Sequence, residues 1–385
     1  MIVYLDNGAT SYPKPKIVID TIIESLHQGS GSLHRSQTRD ALNLERSVYD
    51  ARALIADFFS FRALDHVVFT KNITESINLV LSGFLSDGDH VVTTTLEHNA
   101  VIRPLDYLKR KKNVTYSVVP LTLEGQLDYD LMRIQLQARP KLMIATHASN
   151  VSGDIVDINR IGSMCSEFDV PFLVDTAQSA GVLNVDFEAS GATFLAFTGH
   201  KSLLGPQGIG GLLIKPGFSE LVEPFILGGT GSVSESSQQP EMMPDKFESG
   251  TQNVHGILGL KAGIEYIRSI GLELIRNQEK QLINKFQKAF EDDPRVRIIG
   301  NLDTDMRVGI LAMDFLTLDN STMVYELSKT HDISTRGGLH CAPLAHKAYG
   351  SYPSGTVRFS VSHFTTDDEI EYAIEAINKI LHQQT

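Results

Sequence analysis

A chain of 385 residues suits one large buried core plus a smaller one, and 42% hydrophobic with 21% charged residues is ordinary for a soluble globular enzyme. The formal net charge of −12 argues against nucleic acid or an anionic membrane as the main partner, so an anionic ligand has to be held by local groups. The two cysteines, Cys165 and Cys341, show no paired or CxxC spacing, which argues against a disulfide framework or a metal site and fits a reducing cytoplasm.

The opening Met1-Ile2-Val3-Tyr4-Leu5-Asp6-Asn7 has no basic region followed by an apolar run, so no signal peptide is expected. No apolar stretch approaches the roughly 20 residues that a membrane helix needs. From about residue 40 to 215, helical and strand patterns alternate. Helical periodicity runs over 40–59, 75–84, 99–111, 127–138 and 157–168. Between these lie apolar or β-branched runs at 66–70, 90–95, 114–119, 141–146 and 171–175, with two more at 193–197 and 209–214. The last two follow without a helix between them, which leaves room for an antiparallel strand. This alternation predicts an α/β unit with a mostly parallel sheet, in which ligands sit beyond the carboxyl ends of the strands. Gly228 to Pro244, rich in Gly, Ser, Gln and Pro, reads as a long loop. One helix is expected from Gly256 to Phe290. Strands at 295–299 and 308–314, a helix near 323–330, strands near Ile333 and 357–361 and a closing helix over 366–382 predict a second, α+β unit.

The residues after each strand are the site candidates. Lys201, in Phe197-Thr198-Gly199-His200-Lys201-Ser202, follows an apolar strand, where a lysine must be paired or neutralised. A Schiff base with an aldehyde cofactor is one solution, and it equips the lysine as a proton-transfer base. An exposed loop lysine is the alternative. Asp175 closes the strand Phe172-Leu173-Val174-Asp175, and Gln178 follows. A carboxylate at a strand tip can hold a pyridine nitrogen protonated, and Gln178 can bond a ring hydroxyl; a helix cap is the alternative for Asp175. Thr70-Lys71-Asn72-Ile73-Thr74-Glu75 joins a strand to a helix, and a helix N-terminus with Thr74 suits a phosphate, or is simply capped by Thr74. No Walker or GxGxxG pattern accompanies it, so no nucleotide is implied. His98, in Leu96-Glu97-His98-Asn99, can stack on a planar ring and move protons, or cap a helix. Asn150, in Thr146-His147-Ala148-Ser149-Asn150, can bond cofactor or substrate, or serve a turn.

In Arg336-Gly337-Gly338-Leu339-His340-Cys341-Ala342-Pro343 the paired glycines allow a backbone that brings a thiol into a cleft, and Arg336 and His340 can favour the thiolate. Cys165, in a helical pattern beside Met164, reads as buried and inert. Arg358 is a charge inside a strand pattern; gripping a substrate carboxylate would explain it, as would an exposed edge strand.

The order of these elements resembles the cysteine desulfurase and selenocysteine lyase family, in the class V aminotransferase group of fold-type I pyridoxal-phosphate (PLP) enzymes. The resemblance runs from Tyr4-Leu5-Asp6-Asn7-Gly8-Ala9-Thr10 to Arg358-Phe359-Ser360, nearly the whole chain. It implies a fold-type I transferase: a large domain, 15–256, with a mostly parallel seven-stranded sheet flanked by helices, and a small α+β domain of 1–14 and 257–385. It implies that Lys201 holds PLP as a Schiff base, with Asp175 on the pyridine nitrogen, Gln178 on the ring hydroxyl and His98 stacked on the ring. Thr74, Thr198 and His200 match phosphate ligands. Thr251, in Glu248-Ser249-Gly250-Thr251-Gln252-Asn253, matches a threonine lent to the other subunit's phosphate, which implies a homodimer. Asn150 also matches a cofactor or substrate ligand, and Ala9, Arg336 and Arg358 match substrate-facing positions. The loop around Cys341 resembles that of the second desulfurase group. The implied reaction converts L-cysteine to L-alanine: Lys201 removes the α-proton, Cys341 attacks the substrate sulfur, and the persulfide on Cys341 passes to a sulfur-acceptor protein.

Departures bear on sulfur-versus-selenium preference and not on the cofactor. Asn7-Gly8-Ala9 replaces a more usual Ala-Ala, Asn99 and Leu339 stand where many members have histidine, and His34-Arg35 keeps part of a motif in which Thr38 replaces another histidine. The alternatives are a selenocysteine lyase or another PLP-dependent C–S lyase, epimerase or kynureninase-like enzyme, and a non-catalytic scaffold. Cys341 discriminates among the first, and the joint presence of Lys201, Asp175, Gln178, His98 and Cys341 argues against the scaffold.

Overall fold

The computed structural model describes residues 2–27 and 39–383; His34, Arg35 and Thr38 lie outside them. In chain order the elements are β1 (Val3–Tyr4), α1 (Lys16–His27), α2 (Arg39–Phe58), β2 (Val67–Thr70), α3 (Ile73–Phe84), β3 (His90–Thr94), α4 (Asn99–Lys111) and β4 (Thr115–Val119). Next come α5 (Tyr129–Gln137), β5 (Leu142–Thr146), α6 (Ile158–Glu167), β6 (Phe172–Asp175), β7 (Phe194–Thr198), β8 (Gly210–Ile214), α7 (Val254–Ile270) and α8 (Leu272–Lys288). The chain closes with β9 (Val296–Ile299), β10 (Ile310–Phe315), α9 (Asn320–His331), β11 (Ile333–Ser334), β12 (Arg336–Gly338), α10 (Pro343–Ala348), β13 (Thr356–Ser360) and α11 (Asp367–Gln383).

Strands β5 to β8 are buried at every position, as their apolar runs require of strands covered on both faces. They belong to a seven-stranded sheet of order β2-β8-β7-β6-β5-β3-β4. Only β8 runs against its neighbours, pairing antiparallel with both β7 and β2. Hence β2 runs the same way as β7, and β2, β3, β5, β6 and β7 all end at one edge. Helices cover both faces. One apolar layer joins α2, α6 and α7 to the sheet through Ile55, Ile161 and Leu260. The other joins α3 and α4 through Ile77, Val80, Val101 and Leu105.

A four-stranded sheet, β12-β13-β10-β9, packs with α8, α9 and α11 around Phe286, Leu327, Phe359 and Ile377. β1 returns to this part of the chain and pairs in parallel with β11.

The structure differs from the sequence expectations at three helices. The apolar pattern of 256–290 is two helices, broken where Gly271 takes φ 95°, a left-handed conformation that glycine adopts without steric cost. Helix α1 had no counterpart in the reading. Its Ile17, Ile19, Ile23 and Leu26 are exposed while Val18 is buried, so its apolar pattern does not trace a core-facing stripe. The short α10 also escaped notice, opening on Pro343 directly after the Cys341 segment. Gly228 to Pro244 forms no helix or strand, as expected of a loop.

Candidate active site

The sheet edge at which those strands end borders a cavity of about 290 Å³. It is lined by Thr74, His98, Asn150, Asp175, Gln178, Thr198, His200 and Lys201 from the large-sheet side, and by Ala9, Arg336, His340 and Arg358 from the other. Every site residue singled out in the sequence is there except Cys341 and Thr251.

Lys201 lies on the tight turn after β7, where Gly205 N–H donates to Gly199 O at 2.8 Å. The open cavity leaves it some solvent contact, but protein surrounds it otherwise. Burial, and then the neighbouring Arg358, bring its ammonium down to about 8, against an ordinary lysine near 10.4. Asp175, 2% exposed, ends β6. Its Oδ1 accepts from Ala177 N–H at 2.8 Å, so it does form a local cap while its carboxylate also faces the cavity. Burial raises its pKa, and the Ala177 N–H and Lys201 pull the other way. Gln178 donates from Nε2 to Gly8 O at 3.0 Å, which fixes its amide at the cavity wall.

The anion end is built by α3 and the β7 turn. Asn72, not Thr74, caps α3, accepting from Glu75 N–H at 3.0 Å. That leaves Thr74 in the first turn, at the cavity wall beside free helix N–H groups. Thr198 Oγ1 and His200 Nδ1 are both buried without a partner. Buried polar atoms are nearly always bonded, so two orphans converging on one cavity mark a place where a ligand supplies the partner.

His98 caps α4: its Nδ1 accepts from Ala100 N–H at 3.0 Å. Burial, followed by the charges of Lys201 and Arg336, lowers its pKa to about 4. At neutral pH the ring is therefore uncharged, and with Nδ1 accepting, its proton sits on Nε2.

Arg358 is 1% exposed and lies in β13, an inner strand of its sheet, so it is no surface edge arginine. It donates to Asp6 Oδ1 and to Asn150 O, each at 2.9 Å, and keeps a buried Nε without a partner. Arg336 faces it across the β12–β13 ladder. Two guanidiniums against one paired carboxylate leave the cavity receptive to an anion.

Cys341 is exposed and opens onto an adjoining groove of about 510 Å³. Groove and inner cavity share Thr74, His98 and Ala100. The expectation that His340 lends Cys341 positive charge is not met. His340 is buried, and burial followed by Arg358 takes its imidazole down to about 2, so it is neutral. Thr251 lies apart, in a cleft of about 190 Å³ with Lys71, Gln252 and Asn253. Cys165 is 1% exposed, and burial raises its thiol to about 12, so it is inert as expected.

The aminotransferase class-V family model matches residues 3–373. A probable cysteine desulfurase from Pyrococcus abyssi is 32% identical over 99% of this chain and 94% of its own length. A cysteine desulfurase from Serratia proteamaculans is 30% identical over 98% of this chain and 93% of its own. The chain belongs to the cysteine desulfurases of the class-V aminotransferase family. Among solved structures, the apo cysteine desulfurase of Thermococcus onnurineus superposes with a TM-score of 0.93 at 32% identity, over 99% of this chain and 95% of that one. The cysteine desulfurase CsdA of Escherichia coli gives 0.89 at 28%, over 99% and 94%.

Two ionisable residues behind the cavity wall are not among the sequence candidates. Glu97 is fully buried, and its Oε1 accepts from Thr94 Oγ1 at 2.7 Å and Thr146 N–H at 3.0 Å. Burial pushes its carboxyl up to about 8. Its signal was an acid set next to His98 at the end of an apolar strand. Lys14 donates to Ser11 Oγ at 2.7 Å and to His200 O at 2.9 Å, behind the turn that carries Lys201. A lysine between Pro13 and Pro15 gives no such hint.

Proposed function

We propose that this protein is a PLP-dependent cysteine desulfurase that converts L-cysteine to L-alanine and carries the sulfur as a persulfide on Cys341. The observation that carries the cofactor reading is the orphaned pair Thr198 Oγ1 and His200 Nδ1 at one end of a cavity that also holds Lys201 and Asp175. Thr74, Thr198, His200 and the α3 N-terminus would hold the phosphate. Asp175 would hold the pyridine nitrogen, Gln178 the ring hydroxyl, His98 the ring face and Lys201 the aldehyde carbon. When bound, PLP supplies an aldehyde that condenses with amines and a protonated ring that draws electrons from the substrate's α-carbon.

The chain's own groups do the rest. With its pKa near 8, Lys201 is partly neutral at neutral pH and would take the substrate α-proton. Arg358, with Asn150, Arg336 and the backbone at Ala9, holds the substrate carboxylate. Asp175, as a carboxylate, would keep the ring nitrogen protonated. His98 donates from Nε2 near the reacting atoms. The Cys341 thiolate attacks the substrate sulfur: an S–S bond forms, the substrate C–S bond breaks, and its electron pair returns to the carbon skeleton, which is protonated to alanine.

Thr251, which lines a separate cleft and not the cavity of its own chain, would serve the phosphate of a second copy in a homodimer. The division into a large unit, 15–256, and a small unit, 1–14 with 257–385, belongs to the same reading and is supported by the separate sheets and cores. No described helix is long and apolar enough to cross a membrane; a cytoplasmic site of action, with a sulfur-acceptor protein as partner, completes the proposal. The test is alanine formation from L-cysteine by the wild type and by Cys341→Ala. Loss of alanine with the visible cofactor band retained is expected. Undiminished alanine in the variant would sink persulfide chemistry.

A further inference from the structure

The inner cavity is lined by His340 but not by Cys341, and the outer groove by Cys341 but not by His340. The backbone between them is held by groups of the site itself. Asn150 Nδ2 donates to His340 O at 2.7 Å, and Asn99 N–H at the start of α4 donates to Cys341 O at 2.7 Å. His340 and Cys341 both take positive φ, 47° and 58°, a region that side-chain-bearing residues occupy only when their surroundings hold them there. Asn150 is tied in turn to Arg358 through its backbone carbonyl at 2.9 Å. Asn150 thus touches both parts, its backbone carbonyl on the arginine that faces the cavity and its carboxamide on the peptide that precedes the nucleophile.

We propose that Asn150 is the positioning residue for the Cys341 thiol: in the free protein its carboxamide holds the His340 carbonyl and keeps Cys341 facing the outer groove, and an amino-acid carboxylate at Arg358 draws the carboxamide away and lets Cys341 turn toward the inner cavity. The proposal rests on the desulfurase reading for the class of ligand. Its physical basis is competition for one side-chain orientation: turning the Asn150 amide toward a carboxylate at Arg358 weakens its bond to the loop carbonyl. The two positive-φ residues supply the bias, since a loop held in a costly conformation moves once a tie is released.

The experiment is the rate at which iodoacetamide alkylates Cys341 in the cofactor-loaded protein, followed by mass spectrometry, with buried Cys165 as the unreactive internal reference. In wild type, saturating L-alanine, with saturation read from the visible spectrum, is expected to slow alkylation about three- to tenfold, the equivalent of one backbone hydrogen bond. Asn150→Ala is expected to be slowed by a similar factor with no ligand present, and L-alanine then adds nothing. A residue that only bound the carboxylate would leave the ligand-free rate unchanged. An unchanged or faster ligand-free rate in Asn150→Ala, or a wild type that binds L-alanine without slowing, overturns the proposal and leaves the desulfurase reading intact. A protein whose spectrum responds to no amino acid refutes that reading instead, and the ligand-free comparison still decides the role of Asn150. Should Asn150→Ala lose the cofactor, Asn150→Asp keeps the side chain's size but has no donor for the His340 carbonyl; it is expected to slow ligand-free alkylation likewise, and an unchanged or faster rate overturns the proposal.

Discussion

Lys201 shows most clearly how burial becomes chemistry. A lysine brought down to about 8, by burial and then by Arg358, presents a growing fraction of free amine as pH rises through that value. Capture of added PLP by cofactor-free protein, read as growth of the visible band, should therefore accelerate with pH, pass its midpoint near 8 and then level off. Lys201→Arg should show no such band at any pH. A midpoint as high as an ordinary lysine's would contradict the buried, cation-flanked setting. This lysine was legible in the sequence because a charge at the end of an apolar strand is anomalous. The same holds for Asp175, and Arg358 stands out as a charge inside a strand. Lys14 was not legible: its cation serves the His200 carbonyl, a partner only the folded chain supplies. Nor was the neutrality of His340, which depends on burial and on Arg358, distant in sequence.

At the scale of elements, Glu97 ties the end of β3 to Thr146, which stands opposite Asp175 in the sheet. Its carboxyl is pushed up to about 8 by burial, although the Thr94 hydroxyl stabilises the charged form. In the unfolded chain the group ionises near 4.3. Between those values the unfolded state has released a proton that the folded state keeps, so stability falls as pH rises through the window. Glu97→Gln removes this dependence and retains an acceptor for Thr146 N–H. Measured by thermal unfolding, its stability relative to wild type should rise as pH climbs through that window. A pH-independent difference would mean that Glu97 is ionised in the fold. Glu97→Ala, which strands the Thr146 amide, should cost about 1–3 kcal/mol in the same assay. The parallel strands and their helices were readable from apolar runs and 3.6-residue periodicity. The break at Gly271 was missed because apolar periodicity continues on both sides of it, and α1 because most of its large apolar residues stay exposed.

The whole molecule sets Thr251 apart from its own cavity, and the proposed homodimer gives it a role. Thr251→Val should weaken PLP retention about tenfold through loss of one hydrogen bond to a charged group, read by equilibrium dialysis. Hybrid dimers of Thr251→Val and Lys201→Ala subunits should hold PLP tightly at one site, since one cavity then has both its own Lys201 and an intact Thr251 from the neighbour. Hybrids no better than the variants alone would remove Thr251 from the shared site. The central claim concerns sulfur on Cys341. Its most direct measurement is mass spectrometry of the purified, PLP-loaded protein after L-cysteine is added, with alanine quantified alongside. The expected result is one extra sulfur on the peptide that contains Cys341, matched by alanine and absent from Cys341→Ala. Alanine without sulfur on Cys341, or no alanine at all, would contradict the account.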